Sequence, residues 1–246
     1  MDIPEDPSGY TQIQYLDGPR MLEMACGYLL AADFVTAKYT SDISYQAYGD
    51  SLSEEVVINT HSGNTWGARI DTKIALNNTS IGQVVSEATQ TERFVDGNYS
   101  ISINGASAEE TLTEAQMREI CRNQLVGTIM LPEYIQTAKV KETKNSIRIT
   151  FTAGEDFAKL IRSDICQRLY QEPDLPEQLS QKYKTAQLEC YLVLDKESGL
   201  PTSAGITYEG IYSKDEIHYK MTSQTHQTYD LVSETAYTAI HKKPES

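Results

Sequence analysis

The stretch Trp66-Gly67-Ala68-Arg69-Ile70-Asp71-Thr72-Lys73-Ile74-Ala75-Leu76 decides the fold class, because most of its large apolar side chains recur at every second position. Successive side chains of a β-strand point to opposite faces of the sheet, so a period of two places this apolar set on one face. The stretch therefore predicts a strand with one face in the core and the other in water.

The same alternation continues on the N-terminal side of this strand. Residues 35–48 and 54–61 alternate in the same way, and the turn-forming segments Tyr48-Gly49-Asp50 and Ser62-Gly63-Asn64 separate the runs. Parallel pairing needs a crossover of a dozen or more residues, and these connections are far shorter. We therefore predict an antiparallel meander in the first half of the chain.

A second antiparallel set of strands is predicted after residue 137. A hairpin covers 138–152 with Lys144-Asn145 at its turn, and alternating segments follow at 188–194, 204–212 and 217–221. A separate strand rich in Thr and Gln is predicted for 222–231. The Pro173–Pro176 stretch is predicted to be a loop that leads into a short helix.

Three segments carry apolar residues at helical spacing instead. They are residues 19–33, residues 114–127 with Thr113 as the N-cap, and residues 155–170. The helices interrupt one continuing set of strands, so we predict an α+β fold with a single curved sheet and helices on one face. One domain over 19–241 is expected, between a flexible N-terminal tether at 1–18 and a disordered tail at 242–246.

The charge balance excludes several partner classes. Acidic residues number 35 against 21 basic ones, for a net charge of −14, and such a field repels phosphates. We therefore expect no nucleic-acid partner and no binding to anionic membrane surfaces. The sequence contains no run of about 18 apolar residues, so no segment is expected to span a bilayer. The acidic, Pro- and Gly-rich N-terminus is unlike a signal peptide, which needs basic residues followed by an apolar core.

No catalytic centre is predicted, and neither a cofactor nor a metal is expected. The four histidines lack metal-ligand spacing, although His218 and His226 are expected on neighbouring strands. Adjacent carboxylates such as Glu54-Glu55 point to opposite faces of a strand, so they are expected to be solvated charges and not a catalytic pair.

The four cysteines are too widely spaced for a metal site. Two interpretations stay open for Cys26, Cys121, Cys166 and Cys190: buried free thiols, or one or two disulfides if the protein is exported. Cys121 and Cys166 lie on predicted helices and are the first pair to test for a disulfide.

Two hairpin segments resemble those of a known group of bacterial envelope proteins. They are Glu92-Arg93-Phe94-Val95-Asp96-Gly97-Asn98-Tyr99-Ser100 and Tyr191-Leu192-Val193-Leu194-Asp195-Lys196-Glu197-Ser198-Gly199-Leu200-Pro201. With the opening helix, they resemble the LolA-like and LppX/LprG-like group, especially its uncharacterised Gram-positive lipoproteins, over residues 19–231. The resemblance implies a half-barrel of eleven strands or fewer whose concave face is covered by helices. It also implies an extracytoplasmic protein, secreted or held at the membrane only by a lipid anchor at its N-terminus. Because this sequence has neither the lipidated N-terminal cysteine nor the signal of that group, the resemblance implies an anchor upstream of Met1.

The better-known members of that group hold acyl chains between the sheet and the helices, so a cavity is the leading functional expectation. Its candidate lining consists of strand residues expected to face the helices: Tyr45, Ile58, Trp66, Ile70, Tyr99, Ile101, Phe151, Leu192 and Tyr208. The leading hypothesis is a non-enzymatic cell-envelope protein that binds a lipid or another apolar molecule. The alternative is a structural or protein-interaction module of a surface assembly, with a solid core, a protein partner and no ligand.

Overall fold

A computed structural model describes residues 18–32, 34–46, 49–62, 65–78, 84–108, 110–126, 132–170, 182–214 and 216–231. These ranges contain three α-helices: α1 (Gly18–Ala31), α2 (Glu114–Val126) and α3 (Glu155–Tyr170), with a short 3-10 helix at Pro132–Tyr134. They also contain eleven strands, which are β1 (Phe34–Tyr45), β2 (Asp50–Ser62), β3 (Trp66–Asn78), β4 (Val84–Val95), β5 (Asn98–Ile103), β6 (Ala106–Ala108), β7 (Ile135–Glu142), β8 (Ser146–Ala153), β9 (Lys184–Asp195), β10 (Pro201–Lys214) and β11 (Ile217–Asp230).

All the described strands join one antiparallel sheet in the order β6-β5-β4-β3-β2-β1-β11-β10-β9-β8-β7. The first strand pairs with the last, so β1 and β11 join the N-terminal meander to the C-terminal one. β6 and β7 form the two edges, and the sheet does not close into a barrel. The predicted α+β fold with one curved antiparallel sheet is confirmed, and its strand number agrees with the architecture that the resemblance implied.

Some sequence-based boundaries need correction. The segments 217–221 and 222–231, predicted as separate strands, form the single strand β11. His218 and His226 consequently lie on one strand and not on neighbouring ones. β1 ends at Tyr45, three residues before the predicted end at Tyr48. The predicted tether up to residue 17, the Pro173–Pro176 loop and the tail at 242–246 lie outside the described residues.

The core lies between the helices and one face of the sheet. Residues paired across an antiparallel ladder share a face, and the register Tyr229–Ala37–Ile58–Ile70 is buried along its whole length. The helices complete this core with the buried side chains Met21, Leu22, Ala25 and Leu29 of α1, Met117, Cys121 and Leu125 of α2, and Phe157 of α3.

Local hydrogen bonds and backbone angles explain where α2 begins and how two of the hairpins turn. Thr113 Oγ1 accepts the Gln116 backbone N–H at 3.3 Å, and Gln116 Oε1 accepts the Thr113 backbone N–H at 2.9 Å, which forms a capping box. Asp96 and Gly97 both have positive φ in the β4–β5 turn. In the β9–β10 turn, Asp195 Oδ1 accepts the Ser198 backbone N–H at 2.8 Å. Both hairpin segments of the resemblance are therefore hairpins in the structure.

Candidate functional site

Small polar side chains line the helix-facing side of the sheet where β1 meets β11. The row Ile206–Thr225–Ser41–Glu54 runs across β10, β11, β1 and β2, and Ser223 follows Thr225 on the same face of β11. Larger apolar residues occupy most of the neighbouring rows. The short side chains of this row therefore project less from the sheet than their neighbours and leave a depression in its surface, here called the low floor. α2 and α3 border this low floor and leave an open space above it.

That space is the α2–α3 groove, a cavity of about 480 Å³. Its walls and floor are mainly apolar, formed by Val56 and Ile58 of β2, Phe157, Leu160 and Ile161 of α3, and Ile206 of β10. Leu160 is 49% exposed at the mouth of the groove. Ligand sites are typically mostly apolar cavities of about 300–1,000 Å³ with a few polar groups.

The polar groups of the α2–α3 groove gather around Arg168 of α3. Arg168 Nη2 donates to Glu54 Oε2 at 2.6 Å, and Arg168 Nη1 donates to Ser41 Oγ at 3.1 Å. Arg168 Nη1 also lies 3.6 Å from Asp164 Oδ2, one helical turn earlier on α3. Tyr39 of β1 lies beside the same group. Most of the groove is therefore apolar, and Glu54, Asp164 and Arg168 form its charged end.

The two carboxyls at the charged end have pKa values above their usual range. Burial is the main cause for Glu54, and it outweighs the opposing attraction of Arg168; repulsion from Asp164 adds to the rise in the pKa of Glu54. The Asp164 side chain is 60% exposed, and the loss of solvent on the side that faces the groove raises its pKa against the effect of Arg168. Placing negative charge here is therefore unfavourable, even with a guanidinium between the two carboxylates.

The α2 side of the groove carries two amides, Asn123 and Gln124. β11 fixes the end of this helix, because Gln227 Nε2 donates to the Gln124 backbone carbonyl at 3.1 Å and the Tyr229 hydroxyl donates to the Leu125 carbonyl at 3.2 Å. These carbonyls belong to the last turn of α2, where no helical N–H follows to bond them. The polar end of β11 thus positions one wall of the groove.

The structure places all nine predicted cavity-lining residues on the helix-facing side of the sheet but does not bring them into one space. Ile58 lines the α2–α3 groove, Trp66 lines a separate cleft between α1 and α2, and Tyr208 lines a third. The others lie elsewhere in the core or pack against it: Tyr45, Ile70, Tyr99, Ile101, Phe151 and Leu192.

The groove residues of α3 were missed by the sequence analysis. Asp164 and Arg168 were not singled out, and Leu160 was assigned only to the apolar stripe of α3. Helical spacing indicates which stripe of α3 meets the sheet but not where the sheet leaves room. Glu54 gave a usable signal, since it is a charge between Leu52 and Val56 on an alternating apolar face. The doublet does split as expected: Glu55 faces away and pairs with Lys38. Glu54 is not one of the solvated charges, because its side chain is only 20% exposed.

Within the described residues, the cysteines and two of the histidines take part in core packing or in pairwise hydrogen bonds. The four cysteines are free thiols, and Cys121 and Cys166 belong to different core clusters. His226 Nδ1 hydrogen-bonds with the Tyr191 hydroxyl, and His218 Nδ1 with Ser213 Oγ at 2.7 Å. Within the described ranges, no three His, Cys, Asp or Glu side chains are grouped so as to hold a metal ion. The same ranges contain no helix long and apolar enough to cross a bilayer.

No family model and no curated protein sequence matches this chain. Among solved structures, it is similar to LprF from Mycobacterium bovis, with 8% identity and a TM-score of 0.41, over 86% of this chain and 90% of that one. It is also similar to a DUF1329 family protein from Desulfovibrio piger, with 8% identity and a TM-score of 0.24, over 87% of this chain and 92% of that one. At these similarities no function is transferred from either protein to this chain.

Proposed function

We propose that this chain is a non-enzymatic, extracytoplasmic envelope protein that binds an apolar molecule with a long chain in the α2–α3 groove. The observation that carries the proposal is the groove itself, an apolar space of about 480 Å³ between two helices and the sheet. The location in the envelope follows from the sequence resemblance.

The energetics of an acyl or alkyl chain in this groove are favourable. Each methylene removed from water contributes about 0.8 kcal/mol, so about ten methylenes contribute about 8 kcal/mol before the costs of association. Leu160, exposed at the mouth of the groove, would also be covered by a bound chain. Apolar contact alone is therefore sufficient for binding, and no sequence motif is needed.

The alternative function is an interaction module with a solid core and an envelope protein as its partner. It is favoured by the core beside the groove, where Ile70 and Leu192 are at most 1% exposed. The two functions differ in whether a small apolar molecule is held in stoichiometric amount.

Native mass spectrometry of the purified chain, followed by solvent extraction and lipid analysis, tests the proposal. We expect a co-purifying apolar mass in stoichiometric amount, or uptake of an added long-chain amphiphile. A bare protein that takes up no fatty acid, phospholipid, alcohol or amine would contradict the proposal and favour the interaction module.

A matched pair of variants locates the site. Leu160→Gln replaces an apolar side chain at the mouth of the groove with a neutral polar one and should weaken binding of the apolar molecule by about tenfold or more, while the exposed helix surface tolerates the change. Val140→Gln alters an apolar residue of similar exposure on the edge strand β7 and should leave binding unchanged. Equal losses in both variants would mean that the molecule binds elsewhere.

A further inference from the structure

The charged end of the α2–α3 groove has a net negative charge. Glu54 and Asp164 supply two negative charges and Arg168 supplies one positive charge. The Arg168 guanidinium already donates to Glu54 at 2.6 Å and to Ser41 at 3.1 Å, and it lies 3.6 Å from Asp164. Its positive charge is therefore already shared with groups of the protein. An anionic head group placed here would meet two carboxylates and a cation that is already neutralised.

An unsatisfied acceptor lies on the opposite wall. The Gln124 side chain lines the groove from α2, and its Oε1 atom is buried with no hydrogen-bond partner among the described residues. Buried polar atoms are nearly always paired, so an unpaired acceptor beside a cavity indicates a donor supplied from outside. The groove therefore presents acceptors on both walls.

We propose that the molecule bound in the α2–α3 groove is a cationic amphiphile, a long-chain ammonium whose N–H groups face Glu54, Asp164 and Gln124. This inference depends on the proposed function, since it assigns the head group to the same apolar site. The positive head group balances the net negative charge of Glu54, Asp164 and Arg168, and it donates to Gln124 Oε1. The net charge of −14 also attracts cations toward the whole protein.

Three amphiphiles with the same decyl chain separate the head group from the chain. Binding of decylamine, decanol and decanoate to the full chain is measured by isothermal titration calorimetry at neutral pH. The concentrations stay below the critical micelle concentrations of decylamine and decanoate and below the solubility limit of decanol. At neutral pH decylamine is an ammonium ion and decanoate is an anion. We expect decylamine to bind about tenfold or more tightly than decanoate, with decanol between them.

Variants then separate the groove from the overall acidity of the protein. Asp164→Asn removes one charge at a side chain that is 60% exposed on α3, so the fold should tolerate it. It should lower decylamine affinity by about fivefold and leave decanol unchanged. Glu87→Gln removes the same charge from the opposite face of the sheet and should not change either affinity. Gln124→Met removes the unpaired acceptor and should also weaken decylamine selectively.

Each outcome decides between the two proposals. If decanoate binds as tightly as decylamine, the ammonium head group is wrong while the apolar groove stands. If Glu87→Gln lowers decylamine affinity as much as Asp164→Asn does, the preference comes from overall charge and the head group assignment is again wrong. If none of the three amphiphiles binds, the proposed function itself is wrong.

Discussion

Gly205 lies under a tyrosine ring that spans β10. Gly205 pairs with Tyr191 on one side and His226 on the other, and the Tyr191 hydroxyl hydrogen-bonds with His226 Nδ1. A Cβ at this position would lie 2.6 Å from the Tyr191 ring and 2.6 Å from the Thr225 carbonyl oxygen. We expect Gly205→Ala to lower the free energy of unfolding by about 1–3 kcal/mol, measured by urea denaturation.

The same substitution in a Tyr191→Leu background identifies the cause. Without the ring, only the contact with the Thr225 carbonyl remains, so Gly205→Ala should cost less than it does in the original protein. An equal cost in both backgrounds would assign the whole effect to the backbone contact and none to Tyr191.

The thiols are predicted to be slow to react in the folded protein. Burial raises the pKa of Cys26 and Cys166 to about 11 and that of Cys121 and Cys190 to about 12. At a pKa of about 11, about one thiol in a thousand is ionised near pH 8, and only the thiolate reacts. Native labelling with a disulfide reagent should therefore be far slower than labelling in denaturant, with the partly exposed Cys26 reacting first.

The thiol count in denaturant also tests the disulfide interpretation. Four reactive thiols under non-reducing conditions are expected from the free cysteines of the structure. Two or none, in protein prepared by oxidative export, would show that disulfides form, contrary to the structure.

A buried arginine of helix α3 forms hydrogen bonds to β9 and β10. Arg162 is 2% exposed, pairs with Glu155, and donates to Thr185 Oγ1 at 3.1 Å and to the Tyr208 hydroxyl at 3.3 Å. The Glu155 side chain, in contrast, is 52% exposed. Burial alone would raise the pKa of Glu155, but the hydrogen bonds from Arg162 and Thr185 hold it below its usual range.

This difference in exposure predicts unequal effects of removing the two partners. Glu155→Ala leaves a buried guanidinium without its counter-charge and should lower the free energy of unfolding by about 3 kcal/mol. Arg162→Met leaves a carboxylate that water can solvate, so its cost should be smaller, about 1 kcal/mol. Both are measured by urea denaturation. On α2, Glu114→Ala breaks the exposed pair with Arg118 and should cost about 0.5 kcal/mol or less.

If Arg162→Met costs more than Glu155→Ala, the hydrogen bonds to Tyr208 and Thr185 matter more than the ion pair. The network would then act mainly by ordering β9 and β10 and only secondarily by compensating charge.

The helices and most strands could be predicted from sequence because their signals are local. α3 spans residues 155–170 as predicted, and α2 ends one residue before its predicted limit. The single strand β11 was divided in two because its apolar alternation gives way to Thr and Gln after Met221. Those polar residues have long-range roles: Gln227 bonds the end of α2, and Thr225 lines the groove.

The groove itself could not be predicted, since it depends on where α2 and α3 rest on the sheet. Alternation identifies the inner face of every strand but treats all its positions alike, so Ile58 and Ile70 were equivalent candidates. In the structure, Ile58 lines the groove while Ile70 is covered by core. The position of the groove depends on the row of small residues where β1 meets β11. Those two strands are the first and the last in the chain, so their pairing is not a local feature of the sequence.

The acidity of the protein and the carboxyls of its groove together predict how stability depends on pH. The pKa values of Glu54 and Asp164 are higher in the folded chain than in the unfolded chain. At pH values between the unfolded and the folded pKa, the folded chain therefore binds more protons than the unfolded chain. The free energy of unfolding therefore falls as pH rises through that window. Carboxyls with lowered pKa values, namely Glu55, Glu155 and Asp195, act in the opposite direction, but their contribution is lost only below about pH 4.

We therefore expect the protein to be more stable near pH 5 than near pH 7, as measured by urea denaturation at both values. Arg168, Tyr39 and Asp164 are the charged and titratable groups around Glu54, and the Glu54→Gln variant keeps all three. This variant should show a smaller difference between the two pH values, because one proton-binding group is gone. Glu87→Gln, with the same overall charge, should keep the original difference. If both variants reduce it equally, general repulsion from the net charge of −14 is the cause, and the charged end of the groove contributes nothing of its own.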